Sequence, residues 1–318
     1  MIAQEATNNM PVVTPDCSLM SQNGEMYWRC IVSASGSVDV AELPDLIDQP
    51  VIMTARGQRG AHYEYHSTPG EMAGSRGVAR TVIDGGELHD EGLYVYLQRG
   101  APPSNSYRGG SATVVSKQPL ENIGRFDVDE IYLIAAGGGA QGKVWVDPWH
   151  SRCGGGSGGN GGIADAAQTL VTPGAPGAVS APGGNASFGK AGSWCPNGRP
   201  PTPGYDGYGG IQFGDRRSDG TDGIGGVGGG SNWNYQDGSV VQPTWGHGQG
   251  GHSTVYASGG GGYGGGAGGE RTYGGAGGGS IAAAPTAVPE DLSVLEDALT
   301  HGVAPEVILG YPCLSECG

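Results

Sequence analysis

EIYLIAAGGGAQGKVWVDPWHSRCGGGSGGNGGI, residues 130–163, carries two kinds of chain in one stretch. It opens on an apolar run, Ile131 to Ala136, with the β-branched and aromatic content of a strand. Glycine then takes over. In residues 154–163 the side chains that remain, Ser157, Asn160 and Ile163, fall three apart. Three residues per turn is the polyproline II period, not the 3.6 of an α-helix or the 2 of a strand.

Toward the C-terminus the same step recurs. It relates Thr221, Ile224 and Val227, then Tyr205, Tyr208 and Ile211, and also Tyr273 and Ala276. Pro173, Pro176, Val179 and Pro182 keep it too. Glycine makes up 66 of 318 residues, and three Phe stand against 14 Tyr and six Trp, so an apolar core can serve only part of the molecule. A lone helix of this type has no internal hydrogen bonds; several packed side by side pair their N–H and C=O groups, an approach that only glycine permits. The phased glycines therefore predict rods of polyglycine II. The alternative is a flexible glycine linker. Collagen is excluded, because no strict G-X-Y run persists.

Toward the N-terminus short β-type runs are separated by Gly, Pro, Asn and Asp: MYWRCIVSAS (26–35), PVIMTARG (50–57), GVARTVI (77–83), GLYVYLQRG (92–100) and SATVVSK (111–117). This spacing predicts a sandwich or roll. At the other end PEDLSVLEDALTHG (289–302) reads as a short helix. Pro289 suits its first turn, Glu290 and Asp291 its positive end, and Gly302 its stop. Its stripe of Leu292, Leu295 and Leu299 packs on the protein's own body or docks a neighbouring subunit. The chain thus divides into an N-terminal β or attachment segment (1–47), roll strands (48–135), a glycine-rich bundle (136–280) and a tail with a short helix (281–318). The fold class expected is mainly β: a β-roll or jelly-roll sandwich with an inserted polyglycine II bundle and a short C-terminal helix.

The net charge of −15, with 16 Lys and Arg scattered along the chain, leaves no basic stripe for nucleic acid. No run has the length of a membrane span, and MIAQEATNNMPVV lacks the basic and apolar regions of a signal peptide. Release by lysis, as for a virion protein, is the expected route out of the cell. The six cysteines allow 15 full pairings. The economical set is Cys17–Cys30, Cys153–Cys195 and Cys313–Cys317; free thiols in a particle assembled in the cytoplasm are the alternative.

The order of motifs resembles a known family. PVIMTARGQRG (50–60) leads to GVARTVIDGGELHDEGLYVYLQRGA (77–101), RGGSATVV (108–115) and IYLIAAGGGA (131–140), then to long glycine tracts. This is similar to the glycine-rich domain of the anaplastic lymphoma kinase and leukocyte tyrosine kinase ectodomains, and of bacterial surface and phage tail proteins. The resemblance covers residues 48–280. It implies a tumour-necrosis-factor-like β-roll whose long insertion folds as packed polyglycine II helices. The second half also resembles the tail-fibre tip adhesins of T-even-type phages. The chain departs from the receptor pattern in three ways, with no growth-factor-like cysteine module, no membrane span and no kinase. The adhesin pattern implies that receptor-binding residues sit in loops between glycine tracts.

Aromatic residues mark those loops: Trp145 and Trp149 in KVWVDPWHSR, Tyr205 and Tyr208, and Trp233, Tyr235 and Trp245 in SNWNYQDGSVVQPTW. Rings with a polar edge suit interfaces and stack on sugar faces; they form an exposed tip or cap the bundle. Asp215, Asp219 and Asp222 in GDRRSDGTDG are oxygen ligands of the kind that hold calcium, though their spacing matches no calcium loop and solvated turn residues are the stronger reading. His247 and His252 lack a third zinc ligand. GNASFGKA (184–191) ends in Ala where a phosphate-binding loop needs Ser or Thr. Asn185 opens a glycosylation sequon, which matters only on a eukaryotic secretory route. No catalytic constellation and no cofactor are expected. The expected role is a virion structural protein of the tail-fibre, adhesin or surface-decoration kind. Its partners would be other virion proteins or its own copies, and a host-surface glycan or outer-membrane protein. The alternatives are a cell-surface ligand-binding module and a purely structural lattice or filament subunit.

Overall fold

The computed structural model describes residues 10–22, 24–47, 49–61, 74–97, 108–124, 127–141, 145–147, 150–153, 161, 163–165, 259–263, 265–266, 277–287 and 305–314. The helix expected over 289–302 lies outside them. The fold is mainly β.

One six-stranded sheet has the order β1 (Val12–Val13), β4 (Gly36–Val38), β7 (Leu93–Tyr96), β8 (Thr113–Ser116), β9 (Ile131–Ala135) and β13 (Ile281–Ala282). The other runs β12 (Ile163–Asp165), β6 (Val78–Asp84), β5 (Pro50–Arg56), β14 (Glu306–Pro312), β3 (Glu25–Val32) and β2 (Asp16–Gln22). Pairing is antiparallel except β1 with β4 and β12 with β6. A separate hairpin joins β10 (Trp145–Asp147) to β11 (His150–Cys153).

The two sheets face each other across one core. Cys30 and Val32 of β3, Val51, Met53 and Ala55 of β5, and Val307, Leu309 and Tyr311 of β14 enter it from one side. Leu93 and Val95 of β7, Val115 of β8, and Leu133 and Ala135 of β9 enter from the other. The period of two is the pleat itself. Tyr94 and Tyr96 share the opposite face of β7 from Val95, and both are half-buried. The outer faces are covered as well: Val114 and Ile134 pack with Leu120, Ile123 and Tyr263, while Ile52, Val82 and Ile308 pack with Tyr27. Strands buried on both faces read as unbroken apolar runs, which is the character of IYLIA and VIL in β9 and β14.

Several elements depart from the sequence reading. Residues 306–312, placed in the tail, form a strand at the heart of a sheet, paired with β3 on one side and β5 on the other. β2 was not anticipated. Neither was the short helix α1 (Gly85–Glu91), which Asp84 caps by accepting from the N–H groups of Gly86 and Glu87. Lys117 fastens α1 to its sheet, 3.2 Å from Glu87 and 2.6 Å from Glu91, with its ammonium over the Tyr132 ring.

Candidate functional site

Strands β5, β6, β8, β9 and β13 do not stop where their sheets stop. Their chains run on into residues 57–61, 74–77, 108–112, 136–141 and 277–280, joined by 259–263, and there the pairing rule changes. A sheet strand has two neighbours. Residues 136–141 bond to five segments. Ala136 and Gly139 accept from Gly77 and Gly74; Gly138 and Gln141 donate to Gln58 and Ala61. Gly137 donates to Gly261 and accepts from Gly278, while Gly138 accepts from Gly110.

Wherever one pair of segments is bonded twice, the bonds recur every third residue. Gly57 and Gly60 donate to Gly77 and Gly74, and Gln58 and Ala61 donate to Ser111 and Arg108. Consecutive residues thus address different neighbours, so the segments pack as a hydrogen-bonded lattice instead of a sheet. The segments run both ways: 57–61 is parallel to 136–141 by these registers, and 74–77 opposes both.

Close approach, not backbone freedom, is what glycine supplies here. The glycines with positive φ among the described residues are Gly24 and Gly92, neither in the lattice. A Cβ on Gly57, Gly60, Gly110, Gly137, Gly138 or Gly260 would instead lie under 3.0 Å from a neighbouring carbonyl. The hydrogen that stands there points at that oxygen, a weak Cα–H···O contact. At the junction with the sheets, side chains take up the backbone groups that change partner. Thr113 Oγ1 donates to the Arg56 carbonyl (2.6 Å), Ser280 Oγ accepts from Ala136 N–H (2.9 Å), and Gln58 Oε1 accepts from Ser111 N–H (3.1 Å). Arg56, 4 % exposed, meets Glu306 at 2.8 Å. Burial pulls its guanidinium pKa down, against the opposing pull of Glu306.

Between Gln141 and Gly259, Gly161 also joins the lattice by donating to Ser75, just before β12 pairs with β6. No family model and no curated protein matches the chain.

Of the residues singled out in the sequence, Trp145 opens β10 and stands opposite Cys153 of β11. Trp149, Tyr205, Tyr208, Trp233, Tyr235 and Trp245 lie outside the described residues, as do Asp215, Asp219 and Asp222. Tyr263, an aromatic of the glycine block, is core, 8 % exposed against the outer face of the β8–β9 sheet. Cys17 and Cys30 form a disulfide. Cys313 is disulfide-bonded as well, while Cys195 and Cys317 lie outside the described residues. Among the described residues no group of three potential metal ligands occurs, and no helix is long and apolar enough to cross a membrane. The lattice glycines before residue 136 escaped the sequence reading. Their signal was the three-residue step of Gly57 with Gly60 and of Gly74 with Gly77.

Proposed function

We propose that this chain is a virion structural protein of the tail-fibre, adhesin or surface-decoration kind, a binding protein and not an enzyme. In this reading the two sheets are a β-roll or jelly-roll sandwich, and the lattice is the base of a polyglycine II bundle. The observation that carries it is the three-residue recurrence of hydrogen bonds among glycine segments with no room for a Cβ. Such packing supports a stiff platform, because each rod is bonded on several sides and cannot bend without breaking bonds to more than one neighbour. The aromatic loops between the glycine tracts would be displayed from that platform. The disulfide between Cys17 and Cys30 fits a particle that meets an oxidising medium outside the cell.

The acidic chain makes charge attraction to an anionic host surface a poor source of affinity. Ring stacking and hydrogen bonds to a glycan or an outer-membrane protein loop would supply it instead. The test is host-cell adsorption by the purified protein and by Trp149→Ala, Trp233→Ala and Trp245→Ala, with circular dichroism and melting as fold controls. Each should weaken attachment by about 1–3 kcal/mol with the fold retained. Wild-type adsorption by all three sinks the attachment reading. Unfolding of all three makes the rings core and the protein an architectural subunit.

A further inference from the structure

Four strands form the outer edges of the two sheets: β1, β13, β12 and β2. Three of them are two or three residues long. Shortness is one of the ways in which natural sheets blunt an edge against pairing with another chain; Pro, Lys, a bulge or a covering loop are others. β2, with seven residues, uses none of these among the described residues. Its sequence, DCSLMSQ, holds no Pro or Lys, and it pairs with β3 in unbroken register from Asp16–Ile31 to Gln22–Glu25. Asp16, Ser18, Met20 and Ser21 are exposed. Among the described residues no backbone hydrogen bond reaches the far side of the strand.

The direction of its free groups follows from one distance. Cys17 and Cys30 stand opposite each other with Cα atoms 4.0 Å apart, the close spacing of a pair that exchanges no backbone hydrogen bonds. Cys17, Leu19 and Ser21 therefore turn N–H and C=O away from β3. The disulfide pins the strand to β3, so this edge is held in place before any partner arrives.

We propose that β2 is a dimerisation edge that pairs antiparallel with β2 of a second copy about a two-fold axis at Leu19. This register uses all seven residues. It sets Leu19 against its counterpart, Cys17 against Ser21, Ser18 against Met20 and Asp16 against Gln22. The outward groups of Cys17, Leu19 and Ser21 then meet their like, as an isologous contact requires. Charge favours a second copy at this place. The chain carries −15, yet the edge holds a single charge, Asp16, and the register sets it against Gln22. No like charges oppose each other. Half-buried Leu19, beside Trp28 in register, would be covered by its counterpart. The result is one continuous sheet across two molecules.

The test uses the full chain in sedimentation velocity and native mass spectrometry. Ser18→Lys with Met20→Lys places two pairs of like charges across the axis on exposed positions; Ser18→Glu with Met20→Glu does the same with the opposite sign. Each variant alone should associate about tenfold more weakly or worse, and an equal mixture should restore a heterodimer. Ser21→Pro removes one outward N–H where an edge strand tolerates proline, and should weaken the dimer without a change in the circular dichroism spectrum. A wild-type protein that stays monomeric at concentrations on the order of 100 µM overturns the proposal and leaves the edge to a different chain. Variants as dimeric as the wild type, or a mixture that stays monomeric, overturn the edge or the axis. None of these outcomes bears on host-cell adsorption by the aromatic loops, so this inference and the attachment reading fail separately.

Discussion

Gly137 shows what a single added carbon does to this molecule. Its amide donates to Gly261, its carbonyl accepts from Gly278, and a Cβ would press on the carbonyl of Gly110. The obstacle is backbone on every side, so no side chain can swing away to make room. Gly137→Ala and Gly57→Ala should each cost about 2–4 kcal/mol, the overpacking penalty with a lost hydrogen bond added. Gly86→Ala is the control, since its Cβ would meet only the Asp84 carboxylate at 3.0 Å. Urea denaturation checks this; equal stability of all three variants would mean that the rods give way easily. The three-residue step was read in tracts that lie almost wholly outside the described residues, and Gly57 escaped it. The sequence could not announce which glycine faces which carbonyl, because that depends on how segments far apart in the chain come to lie together.

At the level of elements, β3 and β5 to β9 were legible because they are rich in Val, Ile and Tyr and bounded by turn residues. β14 was harder. Its Val307-Ile308-Leu309 run is apolar without alternation, because one face lines the main core and the other packs on Ile52 and Val82, and such a run is not diagnostic by period. β2 hid for the opposite reason: its Asp, Ser and Gln have low strand propensity, as an exposed edge permits. In α1 two leading glycines argue against a helix, and Asp84 compensates with two capping bonds. The placing of β14 between β3 and β5 gives its ion pair weight. Arg56 ends β5 with a guanidinium that is almost fully buried, and Glu306 at the start of β14 supplies the counter-charge. Glu306→Gln should cost about 3–5 kcal/mol by leaving that charge uncompensated, whereas replacing both partners by Met should recover much of the loss. Thermal melts of the single and double variants decide it. A single variant as stable as wild type would show that water already solvates the pair.

For the whole molecule, the consequential feature is that sheet and lattice share the same chains. Residues 50–61 and 131–141 each begin as a sheet strand and end in the lattice. Of the candidate site, the aromatic residues were named from composition and all but Trp145 lie outside the described residues, while Tyr263 shows that a ring in the glycine block can serve as core. A shared chain constrains dynamics. If Gly57 and Gly138 left the lattice while β5 and β9 stayed in their own sheets, Thr113 would lose the register in which it bonds the Arg56 carbonyl, and Ala136 would lose the Ser280 hydroxyl. The lattice and the sheets should therefore open together. Native-state hydrogen exchange tests this, because amides that open only in the global event share one free energy. The amides of Gly57, Gly77, Gly110, Gly137 and Gly138 should then exchange with the same protection as those of Val51–Ala55 and Leu133–Ala135, and with the same urea dependence. Lattice amides that exchange by a separate opening, at a lower free energy and with a shallow urea slope, would make the rods a loose appendage. A loose appendage could not hold loops at a fixed distance from the roll, and the platform reading would go with it.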